Sequence, residues 1–170
     1  MNDALTADLE NRLHHEHHTS LRLWLRLLST TIRIEDGIRQ RLREDFDITL
    51  PRFDLMAQLE RESEGLSMGE LSRRMMVTGG NVTAIVDQLE KEQMVQRTTL
   101  PTDRRSYRVC MTERGRAAFE LMATAHEQWM VGLMSSLSVD QQLQLHDLLG
   151  QLKQGLLRHN PFEEMHHEPH

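Results

Sequence analysis

Two short runs with helical apolar spacing, split by Val77-Thr78-Gly79-Gly80-Asn81 and followed by an alternating stretch, constrain this chain more than any other feature. The first run opens on Ser67-Met68-Gly69-Glu70, the S-x-x-E form of a capping box, and carries Leu71 and Met75. The second, Asn81 to Lys91, sets Val82, Ile85, Val86 and Leu89 on one face, with Thr78 or Gly80 as its cap. Two short helices joined by a tight turn make a helix-turn-helix. Met94 to Thr99 then predicts a strand and Leu100 to Arg105 a turn-rich tip. Ser106 to Met111 returns with Tyr107, Val109 and Met111 alternating against Ser106, Arg108 and Cys110, the period of a strand.

The flanks are helical. From Ser20 to about Asp45, Leu21, Trp24/Leu25, Leu28, Ile32, Ile38 and Leu42 recur at helical spacing. A helix this long in a small chain cannot bury itself and is expected to pack on a second subunit. Thr49-Leu50-Pro51 starts another helix, with Phe53, Leu55, Met56 and Leu59 as its buried face and an expected end near Glu64-Gly65. Thr112 caps a helix from Glu113 to about Ser135, with Ala118, Met122, Ala125 and Trp129 on one face. Ser138-Val139-Asp140-Gln141 opens the last, which carries Leu143, Leu145, Leu148, Leu149, Leu152 and Leu156. The expected organisation is a flexible arm (1–19), dimerisation helices (20–47 and 118–160), a DNA-binding unit (48–117) and a disordered tail (161–170). The fold class is mainly α with a small β-hairpin wing.

Nine glycines and four prolines among 170 residues are too few for a loop-rich β architecture. No apolar run reaches the ~18 residues that span a bilayer, and the acidic start MNDALTADLE is unlike a signal peptide, so the expected location is cytoplasmic. A single cysteine, Cys110, excludes an intrachain disulfide framework. The net charge of −6 argues against nucleic acid, but Leu71 to Arg114 carries eight basic and five acidic residues. That segment is a +3 island in a chain that is otherwise −9, the electrostatic footprint of a polyanion partner.

A helix-turn-helix followed by an arginine-tipped hairpin and flanked by long apolar helices resembles the MarR family of bacterial transcriptional regulators. Asp103-Arg104-Arg105-Ser106-Tyr107-Arg108-Val109-Cys110-Met111-Thr112 follows that family's D-x-R-x-x-x-V-x-L-T wing signature, with Met111 in place of Leu. Leu66 to Leu71 resembles its first helix-turn-helix element and Asn81 to Glu90 its recognition helix. The likeness runs over about residues 20–158. Gln93 stands where the family usually has glycine, so the turn into the wing is expected to depart from the glycine form. Many relatives carry Arg or Lys at the places of Ala84 and Gln88.

The resemblance implies a homodimer on a double-stranded, pseudo-palindromic operator, released by a small effector. Asn81, Thr83, Ala84 and Gln88 lie off the apolar face of the second helix. Asn and Gln suit adenine, and the methyls of Thr and Ala suit the thymine methyl. Arg104 and Arg105 at the wing suit the minor groove, one of them alternatively pairing with Asp103. Arg73, Arg74, Thr78 and Gly80 are candidate phosphate contacts. In the family, effectors bind between the terminal helices and the winged helix. Arg22, Arg26, Ser29 and Arg33 form a stripe on the first long helix, either a solvated face or a cradle for a phosphorylated ligand. Trp24, Met56, Met122 and Trp129 are the candidate apolar part. Leu21 to Leu28 is also similar to MarR-type regulators that answer to aromatic acyl-CoA thioesters.

The histidines at 14, 15, 17 and 18 and at 166, 167 and 170 sit in polar terminal segments that seldom fix a metal site, and no metal or other cofactor is expected. No nucleophile–base pair, phosphate loop or carboxylate pair stands out, so no enzyme is expected. The alternative reading is a protein-binding regulator that keeps the fold without specific DNA readout.

Overall fold

The structure, a computed structural model, describes residues 19–100 and 103–158, apart from the side chains of Leu100 and of 103–106. The arm to residue 18, the tail from 159 and both histidine clusters lie outside the described residues. Eight elements follow in order: α1 (Thr19–Phe46), α2 (Leu50–Leu59), α3 (Met68–Met75), α4 (Gly79–Lys91), β1 (Val95–Leu100), β2 (Asp103–Met111), α5 (Glu113–Leu133) and α6 (Val139–Arg158). The chain divides into two compact units inside α5, after Glu127. The boundary expected at residue 118 falls within that same continuous helix.

In the first unit the core is Leu42, Leu55, Met56, Leu59, Leu66, Leu71, Val82, Val86, Leu89, Val95 and Val109, each essentially without exposure. α1 contributes only Ile38 and Leu42 as buried residues, while Leu21, Leu23, Trp24 and Ile32 stand exposed. β1 and β2 pair antiparallel, Val95 opposite Met111 and Thr99 opposite Tyr107. Leu66 adds a single antiparallel bridge to Val109 through two backbone hydrogen bonds of 3.0 and 2.8 Å.

That bridge explains why α2 ends at Leu59, rather than near Gly65 as its apolar spacing predicts. The chain must leave the helix to deliver Leu66 to the sheet. Gly65, at φ +70°, makes the approach: a Cβ there would lie 2.4 Å from the Val109 carbonyl oxygen. Ser67 and Glu70 form the full capping box. The bonds from Ser67 hold the Glu70 carboxyl below its ordinary range. Thr49 and Thr78 occupy N-cap positions without a side-chain cap bond, and α4 starts at Gly79, two residues before the expected Asn81.

α4 closes in the left-handed turn it was expected to lose. Gln93 has φ 60°, with Met94 N–H donating to Leu89 O (2.9 Å) and Gln93 N–H to Glu90 O (2.9 Å). Those are the two bonds of a Schellman motif, and they hold a non-glycine residue in a conformation glycine favours. Met76, at φ 54°, ends α3 in the same way. Thr112 then caps α5, its hydroxyl accepting from Gly115 N–H (2.9 Å) and donating to Gln93 O (2.7 Å).

α5 ends at Leu133, before the expected Ser135. In the second unit, Ser138 and Gln141 cap α6 reciprocally. α6 buries no residue of its own: Leu143, Leu148, Leu152 and Leu156 are each between 45% and 59% exposed.

Candidate nucleic-acid interface

α4 presents its polar side outward. Val82, Val86 and Leu89 are buried, whereas Gly80, Asn81, Thr83, Ala84 and Gln88 are exposed, so all five candidates share one open face. The Thr83 hydroxyl donates to Gly79 O (3.0 Å), which leaves its methyl and lone pairs for a partner. Thr78 sits at the N-terminus of α4, its carbonyl accepting from Val82 N–H (3.2 Å). Arg73 is exposed in the last turn of α3. Arg74 is engaged instead by Glu62 at 2.8 Å, so a phosphate would compete with an existing ion pair. The backbone of Arg104 and Arg105 belongs to β2 rather than to the tip; their side chains lie outside the described set.

Arg97 was read only as part of the basic island, and the structure gives it a different task. Its guanidinium binds Asp87 (2.5 Å) and Glu90, both on α4, and lies 5.5 Å from the centroid of the Tyr107 ring on β2. Its backbone N–H also donates to Glu90 (3.0 Å). Asp87 foremost, with Glu90, holds its pKa above the ordinary value. One side chain thus ties α4 to both hairpin strands and neutralises two carboxylates on the helix. Arg108 likewise turns inward, donating to Gly65 O at 3.1 Å. The usable positive charge is smaller than the sequence count.

The candidate ligand residues do not converge. Arg22 and Arg26 line a hollow of about 330 Å³ with Thr19 and Leu23. The Ser29 hydroxyl donates to Arg26 O (3.1 Å), and Trp24 and Arg33 are exposed on α1. Met56 and Met122 are buried and border a different hollow, of about 140 Å³, at the end of α4. Trp129 belongs to the second unit. Bordering the smaller hollow is Arg52, which the sequence reading passed over; its side chain is only 12% exposed and is paired with Glu92. Its spacing to Met56 and Leu59 (i, i+4, i+7) puts it on the buried stripe, a signal available in the sequence.

Among the described residues no cluster of three His, Cys, Asp or Glu is placed to hold a metal ion, and no helix is long and apolar enough to cross a membrane.

The pattern of the MarR family matches residues 48–107, from the start of α2 into the hairpin. YhbI of Bacillus subtilis, an HTH-type transcriptional regulator, is 30% identical over 109 residues, covering 64% of this chain and 70% of its own. An HTH-type transcriptional regulator of Bacillus cereus is 32% identical over 98 residues, or 58% of this chain; the matched part spans 63% of that relative's length. A MarR family transcriptional regulator from Silicibacter pomeroyi superimposes with a TM-score of 0.71 at 28% identity, over 82% of this chain and 96% of that one. Sco3205 of Streptomyces coelicolor, a MarR family regulator crystallised in complex with DNA, has a TM-score of 0.69 at 24% identity, over 79% and 85%. On the shared helix-turn-helix and wing, and on this identity to a regulator of which it covers more than two thirds, the chain belongs to the MarR family.

Proposed function

We propose that this protein is a DNA-binding transcriptional regulator that works in the cytoplasm as a homodimer, with α4 in the major groove and the hairpin alongside. The observation that carries this reading is the open polar face of α4, Asn81, Thr83, Ala84 and Gln88, beside a wing anchored to that helix by Arg97. The DNA complex of Sco3205 supports the same docking mode. The exposed leucines of α6 favour a second copy as their cover.

Selection of bound duplexes from a random-sequence pool tests it directly. Enrichment of a two-fold-symmetric site, lost in Asn81→Ala/Gln88→Ala and weakened by salt, is expected. Failure to enrich any sequence would favour the alternative, a protein-binding regulator without DNA readout.

The ligand reading extends this. The hollow bordered by Arg22 and Arg26 suits the phosphates of an aromatic acyl-CoA thioester, whose binding would release the operator, making the protein a repressor. Release requires tighter binding to the DNA-incompetent state. Titration of the protein–operator complex with such thioesters and with their free acids separates the cases. Equal potency of acid and thioester, or an unchanged response in Arg22→Ala/Arg26→Ala, would leave the stripe as a solvated face.

A further inference from the structure

We infer that the hollow at the C-terminal end of α4 is a binding site for one small, neutral aromatic molecule that carries a hydrogen-bond acceptor, with Arg52 as the donor that orients it. The hollow has a volume of about 140 Å³ and is bordered by Phe46, Met56, Met94, Leu121 and Met122 around Arg52. An apolar cavity of ~150 Å³ takes up a single benzene ring. Three of the six side chains are methionines, whose flexible thioethers adapt to a flat ring.

Arg52 supplies the polar element. Its terminal nitrogen is paired with Glu92, while its Nε is buried and has no hydrogen-bond partner among the described residues. A buried donor left unmade is costly, so an acceptor beside Nε gains more than one beside an exposed donor. Water is a poor occupant, since a buried water needs two to four polar partners and this lining is largely apolar. Charge selects further. Asp47 and Glu92 border the same hollow against the single guanidinium, so an anion meets a net negative rim. A neutral ketone, aldehyde or amide on one ring fits all three conditions.

The site also touches the reading element. Glu92 is the C-cap of α4, and Met94 follows the left-handed turn at Gln93. On the regulatory reading above, an occupant here acts on the seating of α4.

The test uses the full-length protein, labelled with ¹³C at its methionine methyls, and three probes: acetophenone, toluene and benzoate. Binding is read without DNA, so the failure of this site and of the regulatory reading are separate results. Acetophenone is expected to shift Met56, Met94 and Met122 saturably, with toluene and benzoate about five- to tenfold weaker. Arg52→Lys keeps a cation for Glu92 but removes Nε, and should bring the acetophenone-to-toluene ratio to about one. Ala118→Leu, which fills the hollow's edge, should abolish both. Absence of saturable shifts at the three methyls, equal affinity for acetophenone and toluene, or a preference unchanged in Arg52→Lys would each overturn the assignment.

Discussion

Replacing Gln93 by glycine should make this protein more stable, although it removes a side chain and adds backbone freedom. Gln93 sits at φ 60°, exposed, at the end of α4. An L-residue in that region costs about 1–2 kcal/mol. Glycine escapes this cost but loses about 0.4–1 kcal/mol through its more flexible unfolded chain. The side chain's one described contact, a 3.5 Å approach from Arg114, lies at the limit of a hydrogen bond and contributes little. The net expectation is a gain of about 0.5–1 kcal/mol, or roughly 1–4 °C in Tm for a chain of this size. Ala84→Gly serves as the control: the same residue type is introduced at an exposed right-handed position of the same helix, where it should cost about 1 kcal/mol. Both are read by urea denaturation at one fixed protein concentration. If Gln93→Gly is no more stable than wild type while Ala84→Gly behaves as expected, the left-handed strain is not there and the reasoning fails.

Three further outcomes are expected. Gly115→Ala should destabilise strongly, by about 3 kcal/mol in the same denaturation assay, because its Cβ would lie 2.0 Å from the Met94 carbonyl oxygen, which also receives the Thr112 N–H. Burial lowers the pKa of His126, which packs 5.2 Å from Phe53, so the unfolded chain binds its proton more readily. Stability should therefore fall as pH drops below the ordinary value of 6.5, and His126→Phe should flatten denaturation midpoints from there to about pH 5. Arg97→Met should weaken binding to a selected operator at least about tenfold with oligomeric state unchanged, Arg97→Lys less so, since only the fork spans Asp87 and Glu90 together. Wild-type affinity in Arg97→Met would show that the hairpin seats itself without the clamp.

Local chemistry was legible in the sequence because its partners are near neighbours. The Ser67–Glu70 and Ser138–Gln141 caps and the buried face of α4 follow from spacing alone. The early end of α2 was not legible, because it is imposed by a bridge from Leu66 to Val109, distant in sequence. Arg52 and Glu92 are 40 positions apart, so the pair belongs to the tertiary fold. Charge counting misread Arg97 and Arg74 for the same reason: a tally cannot tell a solvated cation from one already matched by Asp87, Glu90 or Glu62. The strain at Gln93 was visible in the residue type; the two backbone bonds that hold it were not.

The Arg97 clamp has a kinematic consequence. A guanidinium shared between α4 and β1, resting on a ring of β2, leaves the helix and hairpin little independent travel. They move as one rigid body, so an effector could reposition the pair but not separate its members. The pivots must then lie elsewhere. The left-handed break at Asp47, where α1 hands over to α2, is one place where the backbone can change direction without disturbing the clamp. Crosslinking α1 to α2 across that break should freeze the regulator in one DNA affinity, whereas crosslinking α4 to the hairpin should leave its response intact.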